Sequence, residues 1–149
     1  MIKKIMFSLV ISFLVSTNTT AQPNQQVEVF DISKSEVVME VQLNSDIQLE
    51  VEMFLQGITD VYRKLDPIPK SGFMVKIPLE PAYLMHNEWL NDLIDKVIVM
   101  FPSKEKPYLM VFDNENSPHF FIFEGKTDRF LRKLLKLGPI ASNEVLYLW

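Results

Sequence analysis

The chain contains no cysteine among its 149 residues, and this absence limits the ways in which its fold can be stabilised. Disulfides, thiolate metal sites and thiol nucleophiles are all excluded. The fold must therefore depend on a hydrophobic core, and 48% of the residues, including eleven phenylalanines, are hydrophobic. A chain of this size buries about two-thirds of the surface of its unfolded state, which is enough for one domain without covalent links.

The first 21 residues have the three-part layout of a secretory signal peptide. Lys3 and Lys4 form a basic head, residues 5–15 are apolar almost throughout, and Ala21 ends a stretch of small residues suited to signal-peptidase cleavage. An apolar run of about 11 residues is too short to span a bilayer, which requires about 20. The sequence thus predicts a secreted or extracytoplasmic protein of the cell envelope, with an uncleaved N-terminal anchor as the alternative. This composition resembles that of small exported proteins of Gram-positive bacteria.

The remainder of the chain is predicted to form one domain. Residues 22–26 are a polar lead-in, residues 27–138 carry the periodic patterns of a folded domain, and residues 139–149 form an apolar C-terminal tail. Three fates remain open for the tail: an extra strand of the chain's own sheet, a frayed end, or a strand added to the sheet of a partner.

Segments with alternating apolar residues, or rich in β-branched and aromatic residues, are predicted to be strands. They are 27–29, 37–43, 73–79, 97–101, 108–112 and 120–123. Short loops separate the last three segments, which predicts an antiparallel C-terminal meander. Pro78 and Pro81 are predicted to bracket a turn after the third segment.

The segment that begins at Ser45 fits two periodicities. Residues 47–55 alternate as a strand does, but apolar residues also recur in steps of four and three from Ile47 to Leu65, as on one face of a helix. The helix is preferred because a strand leaves the apolar residues after Phe54 unexplained. Pro67 is expected to end the helix, because the residue before proline avoids helical dihedral angles.

Two further helices are predicted. The first covers residues 87–95, with Asn87 as its N-cap, and the second covers residues 127–137, followed by Gly138 as a C-terminal stop. The sum of these elements is an α+β fold. It is a single small domain, with a mostly antiparallel sheet on which two to three helices pack.

The charge is acidic overall, at −4, but it is unevenly distributed. Acidic residues dominate from residue 22 to 62, and basic residues dominate from residue 126 to 136. Net negative charge argues against nucleic acid as a partner, because phosphate backbones require clustered positive charge. The simplest use of the asymmetry is that the acidic and basic segments pack beside each other.

The last predicted helix is strongly amphipathic and carries the main candidate site. Basic residues occupy the arc opposite its apolar face, and four of them are the predicted binding residues: Arg129, Arg132, Lys133 and Lys136. This face is predicted to dock another envelope or secreted protein. The alternatives are an anionic cell-wall polymer or membrane surface, or bases that are merely solvated. A secondary hypothesis assigns binding to the aromatic residues Tyr83, Trp89 and Trp149.

No motif for catalysis or cofactor binding is present, so neither an enzyme nor a cofactor is predicted. A small hydrolase that uses His86, Glu88 or Asp92 is the weaker alternative. His86 and His119 lie in different loops and lack the spacing of a metal site. The run 113–117 is rich in Asp and Asn, but these residues favour a hairpin turn and lack the calcium-loop pattern.

Overall fold

The structure is a computed structural model that describes residues 25–138. The predicted signal peptide and C-terminal tail lie outside the described residues. The described strands and helices are, in chain order, β1 Gln26–Asp31, β2 Glu36–Gln42, α1 Ser45–Gln56, β3 Ile58–Val61, β4 Gly72–His86, β5 Asn91–Pro102, β6 Tyr108–Phe112, β7 Pro118–Phe123 and α2 Thr127–Leu137. The prediction of a small α+β domain built on an antiparallel sheet is confirmed. Neither helix of this part is long and apolar enough to cross a membrane.

The seven strands form one sheet in the order β2-β1-β4-β5-β6-β7-β3, and every neighbouring pair is antiparallel. At the turn between β1 and β2, the carboxylate of Asp31 accepts a hydrogen bond from the backbone N–H of Lys34 at 3.1 Å. Ser35 adopts a positive φ of 55° in this turn. β4 and β5 are the longest strands and lie in the middle of the sheet, so the other strands are added on both sides of this hairpin.

Both helices pack on the same side of the sheet and form the main core with it. Alternate residues of the central strands point into this core, for example Val75 and Ile77 of β4. Phe54 of α1 lies at the meeting point of three elements, because its ring centroid is 5.0 Å from that of Phe123 and 5.4 Å from that of Phe130 of α2. The Phe54 side chain therefore joins the two helices to the sheet.

Helix α1 ends nine residues earlier than predicted. Asn44 caps its start by accepting a hydrogen bond from the Ile47 N–H at 3.0 Å. At Gly57 the chain runs against β7, where a Cβ atom would overlap the carbonyl oxygen of Glu124. The next residues, Ile58–Val61, pair with β7. The helical prediction was therefore wrong beyond Gln56, because tertiary pairing determines the conformation there.

The turn predicted at Pro78 and Pro81 and the helix predicted at 87–95 are also wrong. β4 continues through both prolines to His86, with a bulge between Pro78 and Tyr83. The Asn87 side chain does cap backbone N–H groups, those of Trp89 and Leu90 at 2.9 and 2.8 Å. These groups belong to the tight turn that joins β4 to β5, since β5 already begins at Asn91.

Helix α2 has the predicted bounds, and its apolar face enters the core. Phe130 and Leu134 are buried, as is Leu131. The N–H of Gly138 makes the last helical hydrogen bond, to the carbonyl of Leu134 at 2.9 Å, and the helix ends there because the backbone of Gly138 is extended. A backbone hydrogen bond of this kind satisfies one of the carbonyls left open at a helix C-terminus.

The central position of Phe54 leads to a stability prediction. We expect Phe54→Ala to lower the free energy of unfolding by about 3–5 kcal/mol, because the substitution opens a cavity between both helices and β7. Chemical denaturation followed by tryptophan fluorescence measures the loss. The matched control is Met53→Ala in the same helix, which removes an exposed side chain and is expected to change the stability by less than about 0.5 kcal/mol. Equal losses in the two variants would contradict the assigned core.

Candidate functional site

The predicted basic face on α2 is only partly available for a partner. Arg129, Arg132 and Lys136 are exposed. Lys133, in contrast, pairs with Glu50 of α1 at 2.6 Å, and the Glu50 side chain is only 5% exposed. Lys133 therefore joins the two helices, and its role in binding stays a prediction. This ion pair is one place where the acidic and basic segments of the sequence pack together.

The aromatic residues of the secondary hypothesis pack against the core. Tyr83 and Trp89 are half-buried beside the helix-side core, and the Trp89 ring centroid is 6.2 Å from that of Phe121. Trp149 lies outside the described residues. Tyr83 and Trp89 thus pack at the edge of the core, and their role in binding stays a prediction.

The residues of the hydrolase hypothesis lie along the end of the β4–β5 hairpin. The imidazole of His86 bonds to the side-chain oxygen of Asn91 at 2.8 Å, and the carboxylate of Asp92 accepts from the N–H of Asn114 at 2.9 Å. Glu88 is exposed in the turn. None of the three lines either cavity described below, so their geometry adds no support to this hypothesis.

The acidic run after β6 forms a hairpin turn that is held by its first carboxylate. Asp113 accepts hydrogen bonds from the N–H groups of Ser117 and Glu115 at 2.8 and 3.0 Å, and it also contacts Nε2 of His119 at 2.8 Å. The bond with His119 is the largest of the effects that lower the pKa of Asp113. Among the described residues, no group of three or more His, Asp or Glu side chains is placed to hold a metal ion.

The side of the sheet that faces away from the helices carries a second, smaller apolar cluster. We call it the helix-free face, made up of Met74, Ile98, Met100, Tyr108, Met110, Phe112 and Phe120. The strand register places six of these side chains in two rows across the strands: Met74, Met100 and Tyr108 in one, and Ile98, Met110 and Phe120 in the other. Met100, Tyr108 and Met110 are buried at the centre of this cluster, and Met74, Ile98, Phe112 and Phe120 around them are partly buried. The part of the helix-free face that a partner can contact is therefore its partly exposed margin.

Exposed apolar residues extend the helix-free face beyond these two rows. Leu84 and Leu93 are register partners near the end of the β4–β5 hairpin, and Ile122 lies on β7. All three alternate with residues that point into the helix-side core, and they are 66%, 58% and 42% exposed. Their exposure in water has no stabilising role in the domain, so a partner that covers them gains hydrophobic free energy.

The charges among these apolar residues include two cations. Lys76 lies beside Ile98 in the register and pairs with Glu28 at 3.0 Å. The ammonium group of Lys96 lies 4.6 Å from the centroid of the Phe112 ring, which is a cation–π distance. Because Glu28 neutralises Lys76, Lys96 is, within residues 25–138, the one of these two cations whose charge is left for a partner.

Sequence reasoning missed the helix-free face, although a signal for it was present. The cores of β5 and β6 read VIVMF and YLMVF, two unbroken apolar runs. A strand with only one buried face alternates between apolar and polar residues, whereas an unbroken run marks a strand that is apolar on both faces. The runs thus indicated a second apolar face, but they were used only to predict strands.

Two loops next to the helix-free face enclose a cleft with a volume of about 340 Å³. One loop joins β3 to β4 and the other joins β5 to β6; we call the space between them the loop cleft. Charged and hydroxyl side chains line it, among them Lys64, Lys70, Lys104, Glu105, Ser71 and Ser103. The hydrogen bond between Lys64 and Glu105 is the main cause of the lowered pKa of Glu105. The same bond is the main cause of the raised pKa of Lys64.

A second cavity, of about 370 Å³, lies at the start of α1. Gln48 occupies its wall, donates hydrogen bonds to the Pro81 carbonyl at 3.0 Å and to Glu52 at 2.9 Å, and accepts one from the Glu80 N–H at 2.8 Å. Its amide therefore ties α1 to the bulge of β4. The polar groups of Gln48 are used within the domain, which indicates a structural role.

Comparison with protein-family models, curated proteins and solved structures found no match for this chain. Its function must therefore be inferred from the surfaces described above.

The ion pair between α1 and α2 leads to a second stability prediction. We expect Lys133→Met to lower the free energy of unfolding by about 2–3 kcal/mol, because the nearly buried carboxylate of Glu50 loses its cation. Arg132→Met, an exposed neighbour, is the matched control and is expected to be nearly neutral. Adding Glu50→Gln to Lys133→Met should restore part of the loss. Equal effects of the two single substitutions in urea denaturation would show that Lys133 is as free as Arg132.

Proposed function

We propose that the protein is an exported, non-enzymatic binding domain that holds a segment of another envelope or secreted protein on its helix-free face. The observation that carries the proposal is the position of this apolar cluster on the side of the sheet opposite both described helices. The predicted signal peptide supports placing the partner outside the cytoplasm.

The charges on the helix-free face define the chemistry of the partner. Lys96 lies among apolar side chains, whereas Lys76 is already paired with Glu28, so the best-matched segment combines apolar residues with a carboxylate that meets Lys96. Apolar contact supplies most of the affinity, while opposite charge increases the rate of encounter and fixes orientation. The most exposed apolar contacts on this face come from Leu84, Leu93 and Ile122, because Met100 and Met110 are buried.

A peptide selection tests the proposed partner chemistry. Random peptides displayed on phage are selected on the immobilised full-length chain, and we expect the recovered sequences to combine apolar and acidic residues. The variant Leu93→Gln/Ile122→Gln removes two exposed apolar side chains from the helix-free face. We expect it to bind the selected peptides about tenfold more weakly or worse, as for contact residues of moderate importance.

The control for this test makes the same chemical change on the helix side. Leu49 and Met53 of α1 are each 59% exposed, so Leu49→Gln/Met53→Gln matches the first variant in exposure and in loss of apolar surface. Peptide affinity should be unchanged in this control. Equal weakening in both variants, or recovery of mainly basic peptides, would refute the proposed binding surface.

A second candidate function rests on the exposed part of the basic face on α2. Arg129, Arg132 and Lys136 follow each other at spacings of three and four residues, so they share one exposed side of the helix. This arrangement supports docking on an anionic wall polymer or lipid surface. The interaction would be mainly electrostatic, because the apolar face of α2 is already used in the core.

The salt dependence of vesicle binding tests this second function. We expect the full-length chain to sediment with phosphatidylglycerol vesicles and to be released above about 0.5 M salt, where the Debye length falls to a few ångströms. Arg129→Gln/Arg132→Gln should reduce binding, whereas Lys34→Gln/Lys106→Gln removes the same charge from exposed positions elsewhere and should not. Binding that persists at high salt, or that both variants weaken equally, would exclude the α2 face as the cause.

A further inference from the structure

The loop cleft is held in one shape by contacts between its two loops. The hydroxyl of Tyr62 donates to Glu105 at 2.7 Å, and Lys64 bonds to the other oxygen of the same carboxylate. The ring of Tyr62 stacks on Tyr108 with centroids 4.0 Å apart, and the hydroxyl of Tyr108 donates to the carbonyl of Pro67. Because both loops are fixed to each other and to the sheet, the cleft exists before any ligand binds.

The loops around the cleft are basic, although the chain as a whole is acidic. Residues 62–71 and 103–107 contain five bases and two acids, whereas the whole chain has a net charge of −4. Both acids line the cleft. The carboxylate of Glu105 is already engaged by Lys64 and Tyr62. The lining thus has three lysines against two carboxylates, and its net charge is positive.

Two lysines in the cleft have no anionic partner among the described residues. Lys70 enters from the β3–β4 loop and Lys104 from the β5–β6 loop, and neither forms an ion pair with residues 25–138. The side chains of Ser71 and Ser103 lie next to them in the chain and add two hydroxyl groups. Burying such cations against an anion gives charge-assisted hydrogen bonds, which are about twice as strong as neutral ones.

We propose that the loop cleft is a binding site for a phosphate group. Lys70 and Lys104, with Ser71 and Ser103 beside them, bring ammonium and hydroxyl groups to the cleft from two different loops. Such a spread suits the tetrahedral oxygens of phosphate better than the flat carboxylate, and lysine binds phosphate as a point charge without the fixed fork of arginine. Arg63, the arginine of these loops, pairs with Asp60 instead and is not among the lining residues. This site is independent of the function proposed for the helix-free face.

The volume of the cleft limits what can be attached to the phosphate. About 340 Å³ is at the lower end of the range of small-molecule sites, which runs from about 300 to 1,000 Å³. Ile68 and two prolines supply apolar wall next to the lysines. The ligand is therefore a small phosphate monoester or diester, either free in solution or forming the exposed headgroup of a lipid.

Titration of the full-length chain with inorganic phosphate at constant ionic strength tests the site. We expect saturable changes in the NMR amide signals of Ser71, Ser103 and Lys104, and similar or stronger binding of glycerol phosphate. Acetate should bind more weakly than phosphate. Lys70→Gln/Lys104→Gln should weaken phosphate binding about tenfold or more, as expected from the loss of hydrogen bonds to charged groups.

The control variant Lys34→Gln/Lys126→Gln removes two positive charges from exposed positions outside the cleft and should leave phosphate binding unchanged. Equal weakening in both variants, non-saturable shifts, or acetate binding as strong as phosphate binding would each overturn the proposal. Should a lysine variant fail to fold, Ser71→Ala/Ser103→Ala gives a second test and is expected to weaken binding several-fold. Phosphatidylglycerol and phosphatidylcholine vesicles distinguish the sources, because only a headgroup site gives vesicle binding that Lys70→Gln/Lys104→Gln removes.

Discussion

The long antiparallel pairing of β4 with β5 is the interaction on which the rest of the domain depends. These strands of 15 and 12 residues lie in the middle of the sheet, with β1 and β2 on one side and β6, β7 and β3 on the other. Pairs such as Val75–Val99 and Ile77–Val97 point towards the helices and form the floor of the core. A shift of this register by one residue would turn these side chains to the opposite face, so the pairing also fixes where both helices dock.

The same register determines that the sheet is apolar on both sides. Because β5 and β6 contain unbroken apolar runs, the residues between the core-facing ones, such as Ile98 and Met110, necessarily point away from the helices. An antiparallel sheet with one wet face normally carries polar residues there. Met100, Tyr108 and Met110 form a small core of their own on this second face, whereas Leu84, Leu93 and Ile122 stay exposed. These exposed side chains are the physical reason for assigning the face a binding role.

The sequence predicted those elements whose start and end are set by nearby residues. Helix α2 followed from its amphipathic pattern and Gly138, and the fold class followed from the spacing of apolar runs. The prediction from sequence failed where a distant segment determines the local conformation. The Glu124 carbonyl lies against Gly57, where α1 ends, and the pairing of β4 with β5 makes residues 91–95 a strand. For the candidate site, the basic face was readable from sequence, but the pairing of Lys133 with Glu50, 83 residues away, was not.

Tyr62 connects the two proposed binding surfaces. Its ring stacks on Tyr108 of the helix-free face, while its hydroxyl bonds to Glu105 of the loop cleft. Tyr108 itself is buried, so the partly buried Tyr62 is the residue that joins the apolar cluster to the loops of the cleft. Burial and the neighbouring Tyr62 both raise the pKa of Tyr108, which keeps its hydroxyl protonated as the donor that holds the loop at Pro67. The stacked tyrosines thus form a rigid joint, and the shape of the cleft depends on the same packing as the edge of the helix-free face.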